Sequence, residues 1–355
     1  MNDTPKPTNP KGSKDTKLVI LAAAAMVVIV VASVAKLGSG SKGSNPDPGT
    51  AQNDGSGGAG GDTISTAPTQ TIEQVLSSVQ VYVSEKNYGA ARAILTKAIE
   101  RYPSDPELRS ALGDLEMLSG NASAAYDQYV SAIESSDNPG GDLFFTAGTI
   151  ASTLGEMERA EAHYLEAQRR DPSNPDVPLY LANVQLSMGK IEGATKNIAL
   201  AAKATPDRAI VWGTWAQIAL RENKLPIALQ QIGKARELEP ASVGWIVVEA
   251  KIHKRMGKPE RAIEVLTTLS DDTIAQNRDA TMTLAESFAM IGRAEDAAAR
   301  VIAFARAHPD DARGAMDSAI SLERAGDREQ AILWARRARD LGHERAAAWI
   351  ESLGE

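Results

Sequence analysis

An alanine recurs at a nearly constant interval through the last three quarters of this 355-residue chain. It stands at Ala91, Ala125, Ala160, Ala194, Ala228, Ala262, Ala297 and Ala331, spaced 34, 35, 34, 34, 34, 35 and 34 residues. A period of roughly 20 to 50 residues marks a solenoid, in which each repeat buries its apolar face only by stacking on its neighbours. The ladder constrains the fold and says nothing about chemistry.

Other positions keep the same beat. Five residues before the alanine stand Gly120, Gly155, Gly189, Gly257, Gly292 and Gly326, with Lys86 and Asn223 in the two remaining slots. Gly or Asn just past a helix adopts the left-handed conformation at little cost, so these slots are turns. Seven residues after the ladder come Ala98, Ala132, Ala167, Ala201, Ala235 and Ala338, with Leu269 and Phe304 in two units. Between them lie larger side chains, including Leu95, Tyr129, Tyr164, Ile198, Ile232, Leu266 and Val301. Spacings of four and three put all of these on one helical face. Pro103, Pro172, Pro206, Pro240 and Pro309 close five units, because proline cannot continue a helix. Twelve residues before the ladder is another small residue: Gly113, Gly148, Ala182, Ala216, Ala250, Ala285 and Ala319. Small residues facing each other across a turn let two antiparallel helices pack closely. Each unit is therefore a helix, a tight turn and a second helix.

This arrangement resembles the tetratricopeptide repeat, W-x2-L-G-x2-Y followed by G, A, F, A and P at set offsets. The second unit carries Leu112, Gly113, Gly120, Ala125, Tyr129 and Ala132, and the fifth Trp212, Ala216, Ala228, Ala235 and Pro240. The first unit, about 72 to 105, opens with Thr71-Ile72-Glu73-Gln74, a capping-box sequence, but has Ser78 and Val79 where Leu-Gly is usual. The sixth lacks its closing proline and gains one residue. After the eighth, Glu344 to Leu353 is expected to form a capping helix over the last open face. The fold class expected is all-α: an α-solenoid of about eight helix-turn-helix repeats over 67–355, with a C-terminal cap and one transmembrane helix upstream.

That upstream segment is Leu18 to Ala35, an apolar run with no charge and only Ser33 as a polar residue. As a helix it would be about 27 Å long, close to the hydrocarbon thickness of roughly 30 Å. Residues 1–17 carry Lys6, Lys11, Lys14 and Lys17 against Asp3 and Asp15. The positive-inside bias then predicts a cytoplasmic N-terminus and repeats on the far side of the membrane. The competing expectation is a cleaved signal peptide, since Ser33-Val34-Ala35 offers small residues near a cut. Residues 36–66 are rich in Gly, Ser, Asn, Asp and Pro and bury too little to fold, which makes them a tether. About 30 such residues span an r.m.s. distance near 30 Å. Within it Gly55, Gly57 and Gly60 match G-x-G-x-x-G, but the flanking strand and helix that a dinucleotide site requires are missing.

The formal net charge of −8 resides mainly after residue 65, which argues against nucleic acid as partner. With no cysteine there are no disulfides and no thiolate metal sites. His163, His253, His308 and His343 are scattered without metal-ligand spacing, so no metal is expected. The sequence has no phosphate-binding loop and no nucleophile elbow, and neither a cofactor, a small-molecule substrate nor an enzyme activity is expected. Trp212, Trp215, Trp245, Trp334 and Trp349 fall mainly at helix-packing positions.

The resemblance implies a protein or peptide partner in a groove lined by the first helix of each unit. The corresponding residues are Tyr180, Asn183 and Ser187 in the fourth unit, Thr214, Gln217 and Arg221 in the fifth, and Lys251, Lys254 and Arg255 in the sixth. Asn and Gln donate and accept there, and Lys and Arg add charge-assisted bonds to a carboxylate. The resemblance further implies a bacterial inner-membrane scaffold facing the periplasm that serves assembly or secretion of envelope components. The alternative is a cleaved, soluble periplasmic chaperone.

Overall fold

A computed structural model describes residues 70–354. The expected tail 1–17, the apolar run 18–35, the tether 36–66 and its glycine motif lie outside the described residues. Among the described residues no helix is long and apolar enough to cross a membrane.

The chain divides into two compact units, one ending at Val184 and one beginning at Gln185. The first contains α1 (Ile72–Ser84), α2 (Tyr88–Arg101), α3 (Pro106–Leu118), α4 (Ala122–Ser135), α5 (Gly141–Thr153), α6 (Met157–Arg170) and the opening of α7 (Val177–Ser187). The second contains the end of that helix, then α8 (Ile191–Ala204), α9 (Ala209–Arg221), α10 (Leu225–Leu238), α11 (Val243–Arg255), α12 (Pro259–Leu266), α13 (Asp271–Gln276), α14 (Arg278–Met290), α15 (Ala294–Ala307), α16 (Ala312–Arg324), α17 (Arg328–Asp340) and α18 (Ala346–Ser352). All described elements are helical, as the periodicity predicts.

Local chemistry sets the helix ends. Thr71 and Gln74 form the expected capping box: the Gln74 amide donates to the Thr71 hydroxyl at 3.3 Å, and the Thr71 amide donates to Gln74 Oε1 at 3.0 Å. Asp105 caps α3, with Pro106 in its first turn. In every repeat the turn between paired helices passes through one left-handed residue. Gly155, for example, has φ +80°, and the two non-glycine slots comply as well, Lys86 at +58° and Asn223 at +57°. The carbonyls at the end of each first helix are satisfied there; the Glu156 amide, for instance, reaches Ala151 O at 2.9 Å.

The ladder alanines sit where paired helices meet. Seven of them have no exposed surface, and Ala297 has 6%. The facing small residue matches the bulk across from it. Where the second helix presents tyrosine, the first presents glycine: the Tyr129 ring covers Gly113, and the fully buried Tyr164 ring covers Gly148. A Cβ on Gly148 would lie 2.9 Å from Tyr164 Cδ1 and Cε1 and 3.3 Å from Ala160 O. Where the second helix presents a smaller aliphatic, the first presents alanine in the later repeats, as in Ala216 with Ile232, Ala250 with Leu266 and Ala285 with Val301, and valine in the first, Val79 with Leu95. Glycine thus makes room for an aromatic ring and alanine for a branched chain.

The sixth repeat departs from the helix-turn-helix pattern. Its second helix, α12, stops at Leu266 after 8 residues, and α13 follows, capped by the Ser270 hydroxyl. Leu269 stands where most repeats place alanine, and α13 buries Ile274 against Leu266 and Leu284 in one cluster. The terminal cap forms as expected but shorter: α18 covers Ala346–Ser352 and buries Ala346 and Ile350, with Trp334 and Trp349 packed beside them.

Gly148→Ala forces a Cβ against the Tyr164 ring and is expected to destabilise the first unit by about 1–3 kcal/mol. The double variant Gly148→Ala/Tyr164→Ile adopts the pairing of Ala216 with Ile232 and is expected to recover part of the loss. Urea denaturation combined with hydrogen exchange of the α5 and α6 amides measures both.

Candidate functional site: the face of the first helices

Neighbouring first helices touch, α1 with α3 in the first unit, and α9 with α11 and α11 with α14 in the second. These contacts set first helices side by side over part of each unit. On the first unit, Tyr180 is half-buried and belongs to an aromatic cluster, its ring centroid 5.1 Å from Phe145 edge-on and 5.9 Å from Tyr164. Asn183 is half-buried beside it in sequence. Tyr180 is thus a packing residue that stays partly exposed.

On the second unit, Ser187 and Arg221 are exposed and Gln217 is half-buried. Thr214 is only 3% exposed and faces the interior, so it does not line the surface. The pair Trp212 and Trp215 stacks with centroids 5.8 Å apart and planes 6° off parallel, with Lys234 Nζ 3.9 Å from the Trp212 ring.

The two lysines of the sixth repeat's strip are held by this chain's own acids. Lys251 Nζ lies 3.1 Å from Asp279 Oδ2, and Lys254 pairs with Glu286, both acids on α14. Arg255 donates to Leu220 O at 3.0 Å and Asn223 Oδ1 at 3.2 Å, in the turn of the preceding repeat. One repeat further on, Arg278 pairs with Asp311 at 3.1 Å and with Asp317. The strip that reads as basic in sequence is a set of ion pairs and hydrogen bonds running from repeat to repeat. The sequence contained the signal, since Asp279 and Glu286 stand 28 and 32 residues after their partners, close to one repeat.

The first unit holds two carboxylates with opposite fates. Glu116 on α3 forms a bidentate pair with Arg92 on α2, 2.6 and 2.9 Å, and accepts from Asn121 Nδ2 at 2.8 Å. The hydrogen bonds from Arg92 hold its carboxyl below the usual range. Asp114, two residues earlier, is half-buried with the Tyr129 hydroxyl as donor at 2.5 Å, and desolvation pushes it up to about 6. A recess of ≈ 320 Å³ beside the start of α5 is lined by Asn138, Arg169 and Arg170 among others, but Glu166 already binds both arginines. Among the described residues no group of three or more His, Asp or Glu could hold a metal ion. His163 is hydrogen-bonded to the Tyr126 hydroxyl at 2.9 Å, and His308 stacks on Phe304.

Stacked helical hairpins that share one polar face of first helices define a repeat scaffold with an extended surface. A tetratricopeptide repeat family model matches residues 77–141, 247–302 and 291–348, and a second model of the same description matches 141–174, together more than half the chain. The chain belongs to the tetratricopeptide repeat family. Proteins of this family mediate protein–protein interaction, and the fold typically serves as a non-enzymatic scaffold. A tetratricopeptide repeat protein from Parabacteroides merdae is 16% identical, covering 69% of this chain and 97% of that one, with a TM-score of 0.56. The C-terminal part of a repeat-containing protein from Cytophaga hutchinsonii is 15% identical, covering 67% and 97%, with a TM-score of 0.51. The pilF protein of Pseudomonas aeruginosa is 19% identical, covering 60% and 96%, with a TM-score of 0.50. These likenesses are of fold. No curated protein matches the sequence.

Asp114 tests the electrostatics of the first unit. Its folded-state value lies above the ordinary 3.8, so the folded state binds the extra proton and stability falls as pH rises from about 4 to 6. Asp114→Asn is expected to stabilise this unit above pH 7 by on the order of 2–3 kcal/mol, with no gain at pH 4. Hydrogen exchange of the α3 and α4 amides at the two pH values reads the difference.

Proposed function

We propose that this chain is a protein-interaction scaffold anchored by residues 18–35 in the inner membrane of a bacterium. The N-terminus lies in the cytoplasm and the repeats in the periplasm, where they serve assembly or secretion of envelope components. One observation carries the anchor: an 18-residue run without charge, preceded by four lysines and followed by a glycine- and serine-rich tether. Family membership supports the scaffold role, since these repeats bind peptide or protein partners. The envelope role rests on the combination of anchor, tether and repeats.

The partner docks on the first-helix face of the second unit, among Ser187, Gln217, Arg221, Lys251, Lys254 and Arg255, and Asn183 is a separate candidate on the first unit. Because Lys251 and Lys254 already have acidic partners, a peptide carboxylate gains them only by displacing Asp279 or Glu286. Ser33-Val34-Ala35 favours a second reading, a cleaved periplasmic chaperone that holds client polypeptides on the same face.

Sequencing the mature N-terminus separates the two: a start at Met1 or Asn2 supports the anchor, and a start near Lys36 rules it out. Crosslinking in intact cells is expected to capture a protein partner. With Lys251, Lys254 and Arg255 all changed to Gln, the captured yield is expected to fall roughly tenfold, equivalent to about 1.4 kcal/mol. An unchanged yield excludes this part of the face.

A further inference from the structure

The buried polar groups of the second unit are unevenly satisfied. Three buried side-chain atoms among the described residues have no hydrogen-bond partner: Gln231 Oε1, Arg236 Nε and His253 Nδ1. All three lie on α10 or α11, the two packed helices where the fifth repeat meets the sixth. His253 is 8% exposed and Gln231 6%.

The register of the repeat shows what has been replaced. Three residues after the small residue of the first helix, the second unit places Ala219, Phe288 and Leu322 in other repeats, and His253 here. One residue before the small residue it places Trp215, Leu284 and Ser318, and here the ionisable Glu249. Glu249 accepts from Arg236 Nη1 at 2.8 Å, and its other oxygen lies 3.9 Å from His253 Nε2. The equivalent of His253 at the junction of α2 and α3 is Glu116, whose carboxylate bonds to both Arg92 and Asn121. That junction is polar and satisfied, whereas the one between α10 and α11 is polar and leaves a ring nitrogen unbonded. In an array held by nearest-neighbour contacts, the least satisfied junction separates first.

We propose that the α10–α11 junction is a built-in opening point of the second unit, closed at neutral pH and opened when His253 takes up a proton.

Desolvation holds the His253 imidazole below its ordinary value. Glu249 on α11 and Glu264 on α12 attract the charged ring, while Lys258 before α12 and Arg261 on it repel it. Arg236 faces the same carboxylate from α10 and competes for it. An open junction returns the ring to water and to a value near 6.5, so the open form binds more protons. The junction is then most stable above about pH 6.5 and loses stability as pH falls toward the lower value of the closed form.

Hydrogen exchange of the full chain in detergent micelles tests this, with intrinsic rates corrected for pH. Between pH 6.5 and 5, protection of the α10 and α11 amides is expected to fall by up to about tenfold per pH unit, the limit for one proton. The α9 and α14 amides are expected to hold theirs. His253→Phe, the residue that Phe288 supplies in this register, is expected to raise protection at the junction and abolish its pH dependence. His253→Gln keeps a polar side chain and is expected to abolish the dependence without the gain. The proposal fails if the wild-type junction is no more pH-dependent than α9 and α14, or if the dependence survives in a folded variant. If His253→Phe does not fold, the Gln variant decides.

Discussion

The distance of closest approach between the two helices of a repeat is the constraint on which this structure depends. An antiparallel pair joined by a tight turn must place one residue of each helix almost backbone to backbone. Here those residues are the ladder alanine and the glycine or alanine twelve positions earlier. The large side chain four residues after the ladder then lies over the small residue, as Tyr129 over Gly113 and Tyr164 over Gly148. The hydrogen bonds follow from this packing. With the ring held against glycine, the Tyr164 hydroxyl reaches Thr149 at 3.0 Å, and that of Tyr129 reaches Asp114.

Polar groups that enter the packed regions behave according to what surrounds them. Glu116, Asp114 and His253 all stand on first helices, one to three residues after the small position. Glu116 is matched by a guanidinium and an amide and stays ionised. Asp114 has one phenolic donor and little water, and its proton affinity rises. His253 has a carboxylate at a distance from one ring nitrogen and no hydrogen-bond partner at the other. Register sets where a side chain points, and its neighbours set its charge.

The fold was legible because its signals are periodic. The alanines, the left-handed turn slots and the capping box at Thr71 each correspond to a local requirement, and even Lys86 adopts the turn conformation that its slot demands. The shortened sixth repeat was visible only as an extra residue and a missing proline, since the six residues of α13 carry too short a pattern to assign. The face was less legible. Thr214 looks like Gln217 in composition but differs by three positions, nearly a full turn, and the small offset is enough to bury it. The cations at Lys251 and Lys254 look free until residues one repeat away are brought alongside. Sequence separation conceals such partners, whereas an i,i+4 pair such as Lys196 with Glu192 declares itself.

The pairing of charges from repeat to repeat changes what binding at this face would mean. A ligand that arrives at Lys254 finds a cation whose partner, Glu286, must be released to solvent or taken up by the ligand's own basic groups. Association there is an exchange of counter-charges, so its strength depends on how well a partner mimics both members of the pair. A segment of alternating acidic and basic residues satisfies that condition, and a lone carboxylate does not.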